Sequence, residues 1–132
     1  PALKRLIGVI SSHTQGCTYC TAHAGYGANQ LGVEAEKIAA VFEFETSPLF
    51  SAAERAALRV AWHGALQPSA VTDDDIAALT THFSQQEIVE IVAVLSLYGF
   101  LNRWNSTLNT ELEVPPAAFA QSLAALTKKA HG

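Results

Sequence analysis

Residues 84–108 read SQQEIVEIVAVLSLYGFLNRWNSTL. Ser84 and Glu87 are the two halves of a capping box, in which a hydroxyl and a carboxylate three residues apart satisfy each other's orphan amides, so a helix starts at Gln85. Ile88, Val89, Ile91, Val92, Val94, Leu95, Leu97 and Tyr98 then leave almost no polar face before Asn102. The pattern predicts the longest helix of the chain, Gln85 to about Leu108. A helix apolar on all sides is normally buried on most of them, so this one is expected at the centre of the fold. The apolar run from Ile88 to Leu101 is interrupted by Glu90 and is shorter than the ~20 residues a spanning helix needs. A membrane partner is not expected.

Helices are predicted outward from it in both directions. Thr72-Asp73-Asp74-Asp75 opens a short one, with carboxylates where the macrodipole favours them and Ile76, Leu79 and Phe83 as its apolar side. Ser51 and Glu54 form another capping box, starting a helix through Leu58, Ala61, Trp62 and Ala65 that Gln67-Pro68 closes. Residues 43–50 are a connector, and Val33–Phe42 reads as a helix. A further helix starts at Cys17 and ends near Leu31-Gly32. Its Gly25, Gly27 and Ala28 suggest close packing against another backbone. Leu3, Leu6, Ile7 and Ile10 recur at helical spacing in a first helix, Leu3–Ser12, which Gly16 stops. On the other side, Pro115-Pro116 starts a last helix with Phe119, Leu123 and Leu126 inward and Lys128, Lys129 and His131 at its end. No stretch alternates with period two for long enough to be a strand. The fold class is all-α, a compact antiparallel helical bundle forming one domain over residues 1–132.

Composition narrows the partners. The chain is 49% hydrophobic and only 15% charged, which points to surface buried between subunits, a homo-oligomer. A net charge of −4 argues against nucleic acid, whose phosphates want a basic face. Two closely spaced cysteines, with no signal peptide ahead of them, fit a reducing, cytoplasmic setting in which such a pair is redox-active or metal-binding.

That pair lies in Cys17-Thr18-Tyr19-Cys20-Thr21-Ala22-His23. On a helix Cys20 neighbours both Cys17 and His23, three residues either way. Free amides at the helix start favour a thiolate on Cys17, whereas His23 as a base favours one on Cys20. The second cue is preferred, because a base can also deliver protons during a reaction. Cys20 is then the attacking thiolate and Cys17 the resolving thiol. In the expected cycle Cys20 is oxidised to a sulfenic acid by a peroxide, Cys17 condenses with it to a disulfide, and an external dithiol restores both. His13 and Tyr26 are auxiliary candidates. Buried cysteines acting as small hydrophobes are one alternative. A zinc site from His13, Cys17, Cys20 and His23 is another, ranked lower because structural zinc draws on two separated ligand pairs. Haem attachment needs a histidine directly after the second cysteine, where Thr21 stands. His63 and His82 read as satisfied or edge histidines. Asn102 and Arg103 read as ties between helices or subunits in preference to a carboxylate site.

The stretch Cys17–Ala24, preceded by Ile10-Ser11-Ser12, resembles the core of the alkylhydroperoxidase AhpD-like proteins of the carboxymuconolactone decarboxylase superfamily. Gly99–Asn105 is similar to the end of the long helix in the peroxidase-related branch. The resemblance implies an all-helical fold, assembly into trimers or hexamers, and reduction of hydroperoxides or disulfides at the cysteine pair, with the second cysteine peroxidatic. It implies no metal or organic cofactor, and electrons from an external dithiol of lipoyl or thioredoxin type. Many members carry a glutamate twelve residues before the first cysteine; Arg5 stands there, and a cation near the site would lower a thiol pKa instead. Many also place the histidine four residues after the second cysteine, where here the interval is three. Loss of that glutamate supports the alternative of a non-catalytic helical oligomer with the pair as redox sensor or structural remnant.

Overall fold

Leu6, Ile7, Gly8, Val9, Ile10, Ser11 and Ser12 are all buried, and seven consecutive residues cover every side of a helix. In the computed structural model, which describes residues 1–127, the central helix is therefore α1 (Ala2–Thr14). It packs against α2 (Thr18–Gln30), α4 (Ala52–Ala65) and α6 (Gln85–Leu108). Small residues make this possible. A Cβ on Gly8 would lie 2.2 Å from the Tyr98 ring of α6, so the two helices meet where α1 has no side chain. The buried hydroxyls of α1 are satisfied: Ser11 Oγ donates to Ile7 O (2.8 Å), and Ser12 Oγ accepts from Asn102 Nδ2 (2.8 Å).

The expectation that residues 85–108 form the buried centre is corrected. Only Ile91 and Asn102 of α6 are buried. Val89 is 67% exposed, Leu97 55%, Phe100 61% and Trp104 57%. The helix lies against the bundle along one side and turns the rest of its apolar surface outward.

The remaining elements are α3 (Ala35–Ala39), a 3-10 turn (Ala40–Glu43), α5 (Asp73–His82), α7 (Val114–Ser122) and α8 (Ala124–Thr127). No strand occurs among the described residues, so the fold is the all-α bundle read from the sequence. Both predicted capping boxes form, at Ser51/Glu54 and Ser84/Glu87, and Thr72/Asp75 makes a third. Two boundaries differ. The helix expected over Val33–Phe42 tightens into the 3-10 turn after Ala39, and the last helix breaks at Leu123, whose backbone is extended. Lys128, Lys129 and His131 lie outside the described residues. Among the described residues no helix is long and apolar enough to cross a membrane.

Candidate active site

Gly16 sets the site. Its φ of +79° is open to glycine at little cost and uncommon for other residues. The turn it makes lets Gly16 N–H bond His13 O (3.0 Å) and Cys17 N–H bond Ser12 O (2.9 Å). These two bonds are the Schellman pattern that closes a helix by capping its last carbonyls. The same reversal makes Cys17 the N-cap of α2, with extended backbone (φ −86°, ψ 98°). An N-cap side chain accepts from the first-turn amides, and here the acceptor is sulfur: Cys20 N–H donates to Cys17 Sγ over 3.3 Å. Thr21 Oγ1 donates to Cys17 O (2.8 Å) and steadies the turn. Both cysteines are free thiols, 2% and 4% exposed.

Helix α6 supplies the other wall. Asn105 Nδ2 donates to Cys20 Sγ (3.6 Å), and the polar side chains of Asn102 and Ser106 also act on the thiols, lowering them. The Cys17 thiol is brought down from an ordinary 9.0 to about 6. The hydrogen bond from Cys20 does most of this, against the opposing effect of burial, with the Cys20 amide, Ser106 and Asn102 adding to it. The Cys20 thiol is pushed far above the ordinary range, first by that same bond to Cys17 and then by burial. Both directions favour the thiolate on Cys17 and the proton on Cys20. The expectation from the sequence places the thiolate on Cys20 instead. The amides at the N-cap act on Cys17, and the imidazole expected at Cys20 is turned elsewhere.

His23 Nε2 lies 2.5 Å from Glu113 Oε2, and its ring packs on Tyr19 with centroids 4.5 Å apart. Tyr19 Oη donates to the other oxygen of Glu113 (3.1 Å). The hydrogen bond from His23 holds the Glu113 carboxyl below its ordinary value. No hydrogen bond joins His23 to either sulfur among the described residues. His13 packs on Phe42 (4.3 Å) and lines a cavity of about 300 Å³ that no cysteine lines. Tyr26 meets Phe119 edge-on (6.2 Å), a contact between α2 and α7. Arg5 does not bring its charge to the thiols: its guanidinium lies over Gly27, about 3.1 Å from where a Cβ would be, two turns beyond Cys20. His13, Cys17, Cys20 and His23 do not converge, and among the described residues no group of three or more His, Cys, Asp or Glu side chains gathers to hold a metal.

Sequence reasoning missed Ser106 and Glu113, gave Asn105 no role beyond its place in the stretch that resembles the family, and read Asn102 as a tie in preference to a carboxylate site. Asn105 and Ser106 follow Asn102 by one turn on α6, the one local signal that they share its surroundings. Glu113 is ninety residues from His23, and nothing in the sequence links the two. His63 proves to be a paired histidine, its Nδ1 2.6 Å from Asp75 Oδ2.

The carboxymuconolactone decarboxylase family matches residues 1–62, which include both cysteines and His23. The uncharacterized protein YnjA of Escherichia coli (strain K12) is 28% identical over 109 residues, covering 83% of this chain. This chain spans only 60% of that relative's length. Among solved structures, the debrominase Bmp8 superposes with a TM-score of 0.87 at 35% identity, covering 96% of this chain and 66% of its own. A Cys→Ala variant of Bmp8 was solved in complex with 2,3,4-tribromopyrrole. ATU0492 of Agrobacterium tumefaciens, a protein of unknown function proposed to be an antioxidant defence protein AhpD, shares the fold with a TM-score of 0.79 at 24% identity; it covers 85% of this chain and 77% of its own. Residues 1–62, which hold the cysteine pair, thus match the carboxymuconolactone decarboxylase family, and the all-helical architecture is the one shared by Bmp8 and ATU0492.

Proposed function

We propose that the protein is a thiol-dependent oxidoreductase that reduces hydroperoxides at Cys17 and Cys20 and is recycled by an external dithiol. The observation that carries this reading is the hydrogen-bonded pair at the start of α2, with Cys20 N–H on Cys17 Sγ and the Cys17 thiol lowered to about 6. A thiolate is the nucleophile in such chemistry. The Cys17 thiolate attacks the terminal peroxide oxygen, the O–O bond breaks, and the electron pair leaves on the alkoxide. That alkoxide takes the Cys20 proton and departs as the alcohol. The Cys20 thiolate then attacks the sulfenic sulfur of Cys17, hydroxide leaves and is protonated to water, and a disulfide remains. Exchange with the external dithiol restores both thiols. The two sulfurs exchange the roles expected from the sequence.

A second reading is favoured by the likeness to a debrominase. The same thiolate can take bromine from a carbon whose electron pair is then protonated; the second thiol displaces bromide and forms the same disulfide. Self-association belongs to the first reading as well, since Val89 and Leu97 put large apolar surface on the outside of α6.

The test is to mix the reduced protein with cumene hydroperoxide or with 2,3,4-tribromopyrrole, following thiol loss together with alcohol or bromide. Alcohol with matching disulfide supports the peroxidase reading, and bromide with matching disulfide the dehalogenase. Cys17→Ser should end both reactions, and Cys20→Ser should leave one oxidation event without recycling. Disulfide formation without turnover in the presence of a dithiol would return the pair to a redox sensor on a helical scaffold.

A further inference from the structure

Where α6 passes the ends of α1 and α4, a groove of about 570 Å³ opens between the three helices. This is within the range of small-molecule sites. Leu95, Phe100 and Trp104 form its apolar wall, with the Phe100 and Trp104 rings stacked at 6.0 Å. Two polar groups face it from consecutive positions. Arg103 lines the groove and makes no ion pair among the described residues. Asn102 also lines it, is 2% exposed, and uses Nδ2 on Ser12, while its Oδ1 is buried with no hydrogen-bond partner. Buried acceptors are almost always paired, so this oxygen asks for an N–H or O–H from outside the chain.

We propose that this groove binds a small aromatic anion bearing an N–H or O–H donor, its ring on Phe100 and Trp104, its acid group on Arg103 and its donor on Asn102 Oδ1. Arginine suits a carboxylate because its planar donors match two oxygens at once. Asn102 also acts on both thiols, lowering them, so the groove and the cysteine pair share a residue. Its naming as a substrate site rests on the thiol chemistry proposed above; its ability to bind does not.

The test is calorimetric titration of the full chain with para-coumarate, a flat aromatic carboxylate with a phenolic O–H, and with cinnamate, which lacks the O–H. Saturable binding of para-coumarate at one site per chain is expected, with cinnamate weaker. Arg103→Gln, an exposed position with no fold to lose, should weaken binding by about tenfold or more, as for loss of a charge-assisted hydrogen bond. Binding should survive in the Cys17→Ser/Cys20→Ser protein. No saturable binding, as when a second copy covers the groove, overturns the proposal, and so does equal affinity in wild type and Arg103→Gln. Failure of hydroperoxide turnover with binding intact would strike the thiol reading alone.

Discussion

Helices α1 and α6 are both rich in apolar residues, yet they end in opposite places. From Leu6 to Ser12 every residue of α1 is buried, two serines and a glycine among them. Over its 24 residues α6 buries only Ile91 and Asn102. Hydropathy alone ranks them the wrong way round. A helix becomes central when its neighbours can approach on all sides, and Gly8, Ser11 and Ser12 give α1 that slimness. Apolar surface on α6 beyond what the bundle can cover is surface for something else, which we propose is a second copy on one flank and a ligand on the other.

Truncation should separate the two helices most sharply. Ile7→Ala, at a position 0% exposed, should cost about 2–5 kcal/mol in denaturant unfolding, as buried large-to-small changes do. If it costs no more than a change on the outer face of α6, α1 is not the centre. Gly8→Ala comes next. Its Cβ would fall 2.2 Å from the Tyr98 ring, and overpacking of this kind costs about 1–3 kcal/mol. Tyr98→Leu in the same chain should recover part of the loss.

A pair outside both helices gives an intermediate effect. Burial would raise the Asp75 carboxyl, but hydrogen bonds from His63 and the Thr72 amide outweigh it and hold the carboxyl below its ordinary value. A depressed carboxyl contributes stability above its unfolded pKa and loses it as pH falls through the folded one. His63→Ala should therefore lower Tm at neutral pH, by the equivalent of about 1–2 kcal/mol for a charge-assisted bond, and the gap should close in acid. A gap independent of pH would assign the loss to packing. Leu97→Lys should have the smallest effect on the fold, within about 0.5 kcal/mol as for an exposed position. It should nevertheless reduce the mass measured by light scattering if α6 meets a second copy. An unchanged mass would remove Leu97 from any such contact.

What the sequence disclosed was local. Ser51/Glu54, Ser84/Glu87 and the Gly16 stop were readable because a cap involves residues three or four apart, and the helical class follows from them with the periodicity. The cysteine pair and its place at a helix start were readable for the same reason. The rest depended on long-range placement. Asn105 reaches Cys20 across 85 positions and Glu113 reaches His23 across 90, and no periodicity records such a meeting. The centre of the fold was misread because an apolar face looks the same in sequence whether this chain, another molecule or solvent meets it. His23 was assigned to Cys20 by helical spacing, which makes a contact available but does not decide it against a carboxylate from another element.

That competition leaves the cysteine pair to the N-cap, and the thiolate with it. Because the Cys17 thiol is lowered and the Cys20 thiol raised from the ordinary 9.0, the pair's contribution to stability peaks near pH 9, declines in stronger alkali and is lost as pH falls through about 6. The most direct measurement is a pH titration of thiolate absorbance in the reduced protein, with Cys17→Ser and Cys20→Ser beside it. One thiolate per chain with a midpoint near pH 6, absent from Cys17→Ser, is the predicted result. Two thiols titrating near the ordinary 9.0, or a low step that persists in Cys17→Ser and vanishes in Cys20→Ser, would contradict it.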